Sequence, residues 1–197
     1  MLVGSVTPRH PHRFRARSSD GIVELDVEAD SYHGEYAPLP SGSDNDDPRM
    51  TAQLWRTLPS TQAPTLNPMA IFRFAAALLR TSWRFQRLSF AELLASVSTK
   101  QDTPAQIDTA PETLAVIIAD FERMCLYIPF RFRCLFRSYF LLQFLELYGI
   151  HRTWVFGVAL FPFEAHCWVV SGDLLLGERA ERVASLSPIL IVEPARV

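Results

Sequence analysis

The chain has 197 residues, of which 49% are hydrophobic, 12% aromatic and 20% charged. This composition supports one or two small domains with a substantial core and excludes an intrinsically disordered chain. The formal net charge of −2 offers no basic field for nucleic acid or for an anionic membrane surface.

The three cysteines, Cys125, Cys134 and Cys167, are an odd number without the spacing of a disulfide framework. We therefore expect free thiols and a reducing, cytoplasmic location. Residues 1–19 lack an apolar stretch long enough for a signal peptide. Charged residues interrupt the most apolar segments before they reach the roughly 20 residues of a membrane span, so no such span is expected.

The first part of the chain has the pattern of a β-meander. Residues 13–36 alternate apolar and polar side chains between turn signals, and Ile22–Val27 is the best strand. The polar, acidic run SGSDNDDP predicts a linker, and a short helix is expected at Met50–Leu58.

Four helices are predicted next, each with a recognisable start signal. Their starts are Pro68 behind the cap Asn67, the cap Ser89, the capping-box spacing from Thr109 to Glu112, and Cys134. The last helix runs to Tyr148 and is closed by Gly149. It is apolar around most of its circumference, which predicts that it is buried.

The pattern then changes to strands. The nearly continuous apolar run Thr153–Phe161 predicts a central strand covered on both faces. Further strands are predicted at Glu164–Val170, Leu174–Gly177 and Ile189–Val192, with a turn at Gly172-Asp173. Helices followed by an antiparallel sheet place the chain in the α+β class.

The strongest chemical signal is Cys134 at a helix start and His166 on a strand. The helix N-terminus stabilises a thiolate, and an imidazole on a neighbouring strand is the natural base for it. Cys125 falls in the apolar stripe of its helix and is assigned to the core. Cys167 follows His166 directly, so the two side chains point to opposite faces of the strand. The alternative interpretation is a buried thiol and a structural histidine.

No metal or nucleotide site is predicted. The cysteines and His166 lack the paired short spacings that zinc ligands favour. Neither GxxxxGK[ST] nor GxGxxG is present. We therefore expect no cofactor.

Three motifs follow one another between Cys134 and Glu178: Cys-Leu-x-x-Ser, Gly-Val-x-x-x-Pro-Phe, and His-x-Trp-Val before a Gly turn. Their residues are Cys134, Leu135 and Ser138; Gly157, Val158, Pro162 and Phe163; and His166, Trp168, Val169 and Gly172. In these motifs the segment resembles the peptidase domain of lasso-peptide B proteins, the leader peptidases of microcin-type lasso biosynthesis, which are transglutaminase-like (papain-like) cysteine peptidases. A weaker similarity upstream extends the resemblance to most of residues 68–197.

The resemblance implies a peptidase that removes the leader from a ribosomally made lasso precursor. The core would then pass to an ATP-dependent, asparagine-synthetase-like lasso cyclase. It implies Cys134 as nucleophile and His166 as base and then acid. At the family's Asp position this chain has Glu178, the expected orienting carboxylate, with Asp173 as the competing acid.

The N-terminal meander is similar to the recognition element that binds leader peptides in these pathways. Such modules add an extended peptide to a sheet edge. We therefore expect a β-rich recognition module at residues 1–60 and a transglutaminase-like peptidase domain at 61–197. The candidate substrate-binding residues are Trp168, Ile22, Val23 and Leu25.

Two alternatives stay open, and one geometric test is available. The alternatives are a transglutaminase-fold amidase with another substrate, and a non-catalytic leader and cyclase adaptor with a vestigial triad. A two-residue turn at Gly172-Asp173 would pair Cys167 with Glu178 and turn Glu178 away from His166. We therefore predict a three-residue loop or a bulge, with a Glu178 oxygen within about 3.5 Å of an imidazole nitrogen.

Overall fold

The computed structural model describes residues 12–18, 21–36, 55–59, 67–98, 109–129 and 131–194. These residues form a three-stranded sheet, a five-stranded sheet and five helices. The chain is therefore α+β, as its sequence predicts.

The N-terminal sheet is an antiparallel meander. Its strands are β1 (Arg13–Ser18), β2 (Gly21–Asp26) and β3 (Ser31–Tyr36), with β2 in the centre. The Asp26 carboxylate accepts backbone N–H hydrogen bonds from Glu28 and Ala29, which stabilises the β2–β3 turn. The predicted meander is confirmed.

Four helices follow, close to their predicted positions. They are α1 (Pro68–Arg87), α2 (Phe90–Ser98), α3 (Pro111–Cys125) and α4 (Cys134–Glu146). The Asn67 side chain accepts a hydrogen bond from the Met69 N–H at 2.9 Å, so the predicted cap of α1 is present. The capping box predicted at Thr109 is wrong, because the N-cap of α3 is Ala110, which makes no side-chain cap.

The second sheet has the strand order β4-β7-β6-β5-β8. The strands are β4 (Arg56–Thr57), β5 (Thr153–Ala159), β6 (Glu164–Ser171), β7 (Leu174–Leu176) and β8 (Ser187–Val192), and the short helix α5 (Ala180–Val183) follows β7. All neighbours are antiparallel except β4 and β7, which are parallel. The helix predicted at Met50–Leu58 is wrong within residues 55–59, where the Arg56 and Leu58 N–H groups instead bond to carbonyls of Asp173 and Leu175.

Each face of the second sheet packs against a separate core. Helix α4 covers the face of β6 that carries Cys167 and Val169, which belong to the larger hydrophobic cluster. On the other face, Trp168 and Val170 pack with Trp55 and with residues around α5. Strand β6 is thus held between two buried layers, which makes it a rigid support for His166.

Two features bear on the predicted boundary at residue 60. Ala16, Val23 and Leu25 of the N-terminal sheet, and Val27 in the turn after β2, lie in the same hydrophobic cluster as the helices. Strand β4 belongs to the second sheet. The N-terminal sheet is therefore packed onto the rest of the molecule and shares its core. In the described part of the chain, no helix has the length and apolarity needed to cross a membrane.

Candidate active site

The site lies beside β6, where its neighbour β7 stops. The last β7 residue in the ladder, Leu176, pairs with Val169, so β7 does not extend alongside His166. On the other side of β6, His166 pairs with Gly157 of β5. The open side of β6 leaves room for the N-terminus of α4 and for the segment after β7 to approach the imidazole.

Cys134 is the first residue of α4, and its thiol is strongly acidic. Side-chain hydrogen bonds with Cys167 and His166 lower its pKa to about 4, against the opposing effect of burial. The positive charge of His166 and the Leu135 backbone N–H act in the same direction. Cys134 is therefore a thiolate at neutral pH, the state required of a nucleophile. By contrast, burial raises the pKa of Cys125 to about 11.

His166 connects the thiol to a carboxylate. Its Nε2 atom lies 2.8 Å from Oε2 of Glu178, which leaves Nδ1 as the ring nitrogen available to Cys134. Burial lowers the pKa of His166, but hydrogen bonds to Cys134 and Glu178 and their negative charges outweigh it and raise the pKa to about 9. Cys134 and His166 therefore form a thiolate–imidazolium pair between these two pKa values.

The predicted contact between Glu178 and His166 is present, but the three-residue loop or bulge predicted to produce it is not. Ser171 pairs with Leu174, so the turn has two residues rather than three. Continued as a ladder, that register would turn Glu178 away from His166. The ladder stops at Leu176 instead, and Gly177 adopts a positive φ of 65°, which redirects the chain. The left-handed conformation of Gly177 therefore brings Glu178 to His166 without the predicted bulge.

Glu178 is held by more than the imidazole. Its Oε1 accepts a hydrogen bond from the Arg179 N–H at 3.1 Å, and Nε of Arg182 lies 4.0 Å from Oε2. Burial raises the pKa of Glu178, but these contacts and the bond with His166 outweigh it, so the pKa lies below its ordinary value. The competing acid, Asp173, is instead engaged with Arg56, whose Nε lies 2.6 Å from its carboxylate.

Trp168 supports His166 from the same face of β6. Its ring stacks on the imidazole with centroids 6.0 Å apart and also meets Trp55 edge-on. Gly157 leaves space for it, because a Cβ there would lie 2.4 Å from an indole carbon. Trp168 is only 2% exposed. It therefore positions the imidazole, and little of its surface is open to the substrate contact predicted for it.

A cleft of about 1010 Å³ runs past the three polar side chains. Its walls include Cys134, His166 and Glu178, together with the α3 residues Ala115 and Ile118. Clefts of this size accommodate ligands as large as a short peptide.

Arg137 bridges two walls of this cleft. It donates a hydrogen bond to the Gly177 carbonyl at 2.8 Å and reaches Glu122 of α3 at 3.5 Å. The Arg137 contact fixes the turn that delivers Glu178.

The three candidates from the N-terminal sheet are not at the cleft. Val23 and Leu25 are 0% exposed and lie in the hydrophobic core. Ile22, which is half-buried, shares the central strand β2 with them, and both edges of that strand are already paired. Because the meander occupies both edges of β2, these three residues offer no edge for an added strand, and their role in substrate binding stays a prediction.

Two groups near the thiol were not predicted from the sequence. The first is Tyr32 of β3: burial and the negative charges of Cys167, Asp30 and Cys134 raise its pKa to about 12. The N-terminal sheet therefore approaches the nucleophile. The second is Cys167 with Ser138, whose Sγ and Oγ atoms lie 3.2 Å apart. Ser138 belongs to the Cys-Leu-x-x-Ser motif, which was the available signal.

Comparison with known proteins agrees with this geometry. The family model described as the transglutaminase-like superfamily matches residues 74–191, more than half of the chain. No curated protein matches the chain, and no solved structure does. The matched residues include all three side chains of the Cys134–His166–Glu178 line. The chain belongs to the transglutaminase-like superfamily.

Proposed function

We propose that this protein is a cysteine peptidase, with Cys134 as nucleophile, His166 as base and acid, and Glu178 as the carboxylate that orients the imidazole. One observation carries the proposal: the three side chains form a continuous interacting line on the wall of an open cleft. The superfamily includes cysteine peptidases and acyltransferases, which supports this class of reaction.

The proposed reaction is acyl transfer in two steps. The Cys134 thiolate attacks the scissile carbonyl carbon, and the C–N bond breaks as the His166 imidazolium gives its proton to the leaving amine. The acyl group is then a thioester on Cys134. Neutral His166 next takes a proton from water, the resulting hydroxide attacks the thioester, and the thiolate leaves as the imidazolium is restored. Glu178 holds Nε2 throughout, so Nδ1 faces the reacting atoms.

The substrate we propose is the leader–core junction of a ribosomally made lasso precursor. The support is the resemblance of the segment from Cys134 to Glu178, whose motif residues Ser138, Gly157 and Trp168 all build the site's framework. Cleavage would free the α-amine that a macrolactam-forming, ATP-dependent cyclase requires. A cytoplasmic location fits this role, because the three cysteines are free and Cys134 must stay reduced.

Two other functions would use the same fold differently. An adaptor with a vestigial triad has no need of an acidic Cys134, so the pKa of about 4 favours a working site over an adaptor. An amidase acting on another substrate would share the whole triad, and only the substrate separates it from a leader peptidase.

The test is a cleavage assay with the full chain. Precursor peptides encoded by neighbouring open reading frames are incubated with the protein, with and without the neighbouring cyclase, and analysed by mass spectrometry. Release of leader and core from one of these peptides supports the proposal. Cleavage only of unrelated amides identifies the amidase, while peptide binding with a Cys134 no more reactive than Cys125 identifies the adaptor.

For leader binding, we propose the outer edge of β3. Among the described strands, β3 pairs only with β2 and so leaves one edge available to an added strand. Its residue Tyr32 lies close enough to Cys134 for the thiolate charge to raise the pKa of its phenol. An extended leader on this edge would lie near the nucleophile.

Hydrogen–deuterium exchange tests this edge. We expect amides of Ser31–Tyr36 to gain protection when a leader peptide is added, because pairing would engage the N–H groups of β3 that do not pair with β2. Amides of β2, already paired on both sides, serve as the internal control. Protection confined to β1, or absent at saturating peptide, would contradict the assignment.

The thiolate–imidazolium pair predicts a bell-shaped pH profile for kcat/KM. Activity should rise as Cys134 loses its proton near its pKa of about 4. It should fall as the His166 imidazolium loses its proton near its pKa of about 9. The plateau between them is broad because the pair stabilises both charged forms. A single limb near pH 6.5, the ordinary range of histidine, would show that Cys134 and His166 are not paired in the free enzyme.

A further inference from the structure

Residues 55–59 form part of the cleft wall, although they lie upstream of the residues that the family model matches. Within this segment, Thr57, Leu58 and Pro59 line the cleft. Trp55 is buried in the smaller hydrophobic cluster and Leu58 in the larger one. The side chain of Thr57 is therefore presented to the cleft by a segment that is anchored in both cores.

Backbone hydrogen bonds fix the same segment against β7. The Arg56 N–H donates to the carbonyl of Asp173 at 2.8 Å, and the Leu58 N–H donates to the carbonyl of Leu175 at 3.3 Å. Thr57 lies between these two bonds. Its position relative to β7, and to the turn that follows β7, is therefore set by the strand pairing.

The turn that carries Glu178 is held from two sides. On one side, Arg137 donates to the Gly177 carbonyl at 2.8 Å. On the other side, the Ala180 N–H donates to Oγ1 of Thr57 at 3.0 Å. Ala180 begins α5, whose N-cap residue makes no side-chain cap. Thr57 thus supplies an acceptor that the N-cap side chain does not provide.

We propose that Thr57 is a positioning residue for Glu178: by accepting the Ala180 N–H, it fixes residues 177–180 so that the carboxylate stays 2.8 Å from Nε2 of His166. The inference rests on the proposed roles of His166 and Glu178. It adds to the site a group from outside the residues that the family model matches.

The same segment also supports the imidazole. Trp55 meets Trp168 edge-on with ring centroids 5.2 Å apart, and Trp168 stacks on His166. Residues 55–59 therefore contact both the group that packs on His166 and the turn that carries Glu178. A hydrogen bond between two side chains depends on both being held to within about 0.5 Å, so a segment that supports both partners is well placed to control it.

The test measures the pKa of His166 by NMR titration of the imidazole Cε1–H signals, in the full chain labelled at histidine. The His166 signal is identified by its absence from the spectrum of His166→Asn. Thr57→Val keeps the branched shape but lacks the acceptor, Thr57→Ala lacks it in a smaller side chain, and Thr57→Ser keeps the hydroxyl. Melting temperatures confirm that each variant is folded.

Burial lowers the pKa of His166, whereas the hydrogen bond and the charge of Glu178 help to raise it to about 9. A displaced Glu178 should therefore lower the pKa. We expect a fall of about half a unit in Thr57→Val and Thr57→Ala, and a larger fall in Glu178→Gln. Thr57→Ser should stay within about 0.2 unit of the unmodified protein. The control on the same segment is Arg56→Met, which removes an exposed ion pair with Asp173 and should leave the pKa of His166 unchanged.

An unchanged pKa of His166 in both Thr57→Val and Thr57→Ala would overturn the proposal. So would an equal fall in Thr57→Ser or in Arg56→Met, since either would show that the loss of the hydroxyl is not the cause.

Glu178→Gln separates a failure of this proposal from a failure of the proposed triad. If Glu178→Gln lowers the pKa of His166 and the Thr57 variants do not, the triad stands and the role of Thr57 is refuted. If Glu178→Gln also leaves the pKa unchanged, the pairing of Glu178 with His166 is wrong, and the role of Thr57 is refuted with it. Because the titration needs no peptide substrate, its outcome is independent of whether the protein cleaves a lasso leader.

Discussion

Replacing Cys134 by alanine should abolish leader cleavage while precursor binding persists. The change removes the attacking sulfur but leaves the backbone of α4 and the walls of the cleft in place. We expect a loss of at least about 10³-fold in kcat/KM, because a covalent mechanism has no route around a missing nucleophile. Cleavage is followed by mass spectrometry and binding by fluorescence anisotropy of a labelled leader.

The matched control is Cys125→Ala, the same substitution at a thiol whose pKa burial raises to about 11. It should leave cleavage within about twofold of the unmodified protein, since Cys125 lies at the end of α3 and is not among the residues that line the cleft. Iodoacetamide at pH 7 should also label Cys134 ahead of Cys125 and Cys167. Normal cleavage by Cys134→Ala would refute the central claim about this site.

Much of the fold was predictable because its signals are local. The Asn67 side chain caps α1 as predicted, and the apolar run beginning at Thr153 forms the central strand β5. Strand β4 was not predictable, because Arg56 and Thr57 form it only through hydrogen bonds to a turn more than a hundred residues away in sequence. The capping box at Thr109 failed although its spacing was right, which shows that a local signal is a preference and not a constraint.

The candidate site likewise contains residues that could be predicted from local sequence and residues that could not. Cys134 and His166 could be singled out from their own surroundings, a helix start and a strand. Cys167 could not, because strand alternation separates it from His166 but does not say which face meets α4. The 3.2 Å contact between Cys167 and Ser138 of α4 depends on how α4 packs on β6, which is a tertiary fact.

The loop predicted to bring Glu178 to His166 was wrong for a related reason. Strand alternation was extended past Leu176, where the ladder in fact ends. Gly177 has a positive φ, and the sequence alone did not reveal that the chain leaves the strand there. A glycine directly before a candidate site residue is therefore a reason to stop counting strand positions.

Glu178→Gln should lower kcat/KM by about 10²- to 10³-fold and shift the alkaline limb of the pH profile to lower pH. The substitution keeps the side-chain shape but removes the charge that faces Nε2 of His166 at 2.8 Å. That hydrogen bond and that charge help to raise the pKa of His166 to about 9, so without them the imidazolium loses its proton at lower pH. The loss of rate follows because an amide can face Nε2 with either its oxygen or its NH₂ group and no longer fixes the ring.

Glu178→Asp separates charge from reach. Aspartate keeps the carboxylate but is shorter by one methylene, so from the backbone position set by Gly177 it should approach His166 less closely. We expect an intermediate loss, about tenfold, and an alkaline limb closer to that of the unmodified protein than the limb of Glu178→Gln. The control is Asp173→Asn, which removes the competing acid and its exposed pairing with Arg56, a contact of little energetic weight. If Asp173→Asn moves the alkaline limb and Glu178→Gln does not, Asp173 is the acid that orients His166 in solution and the triad is assigned to the wrong carboxylate.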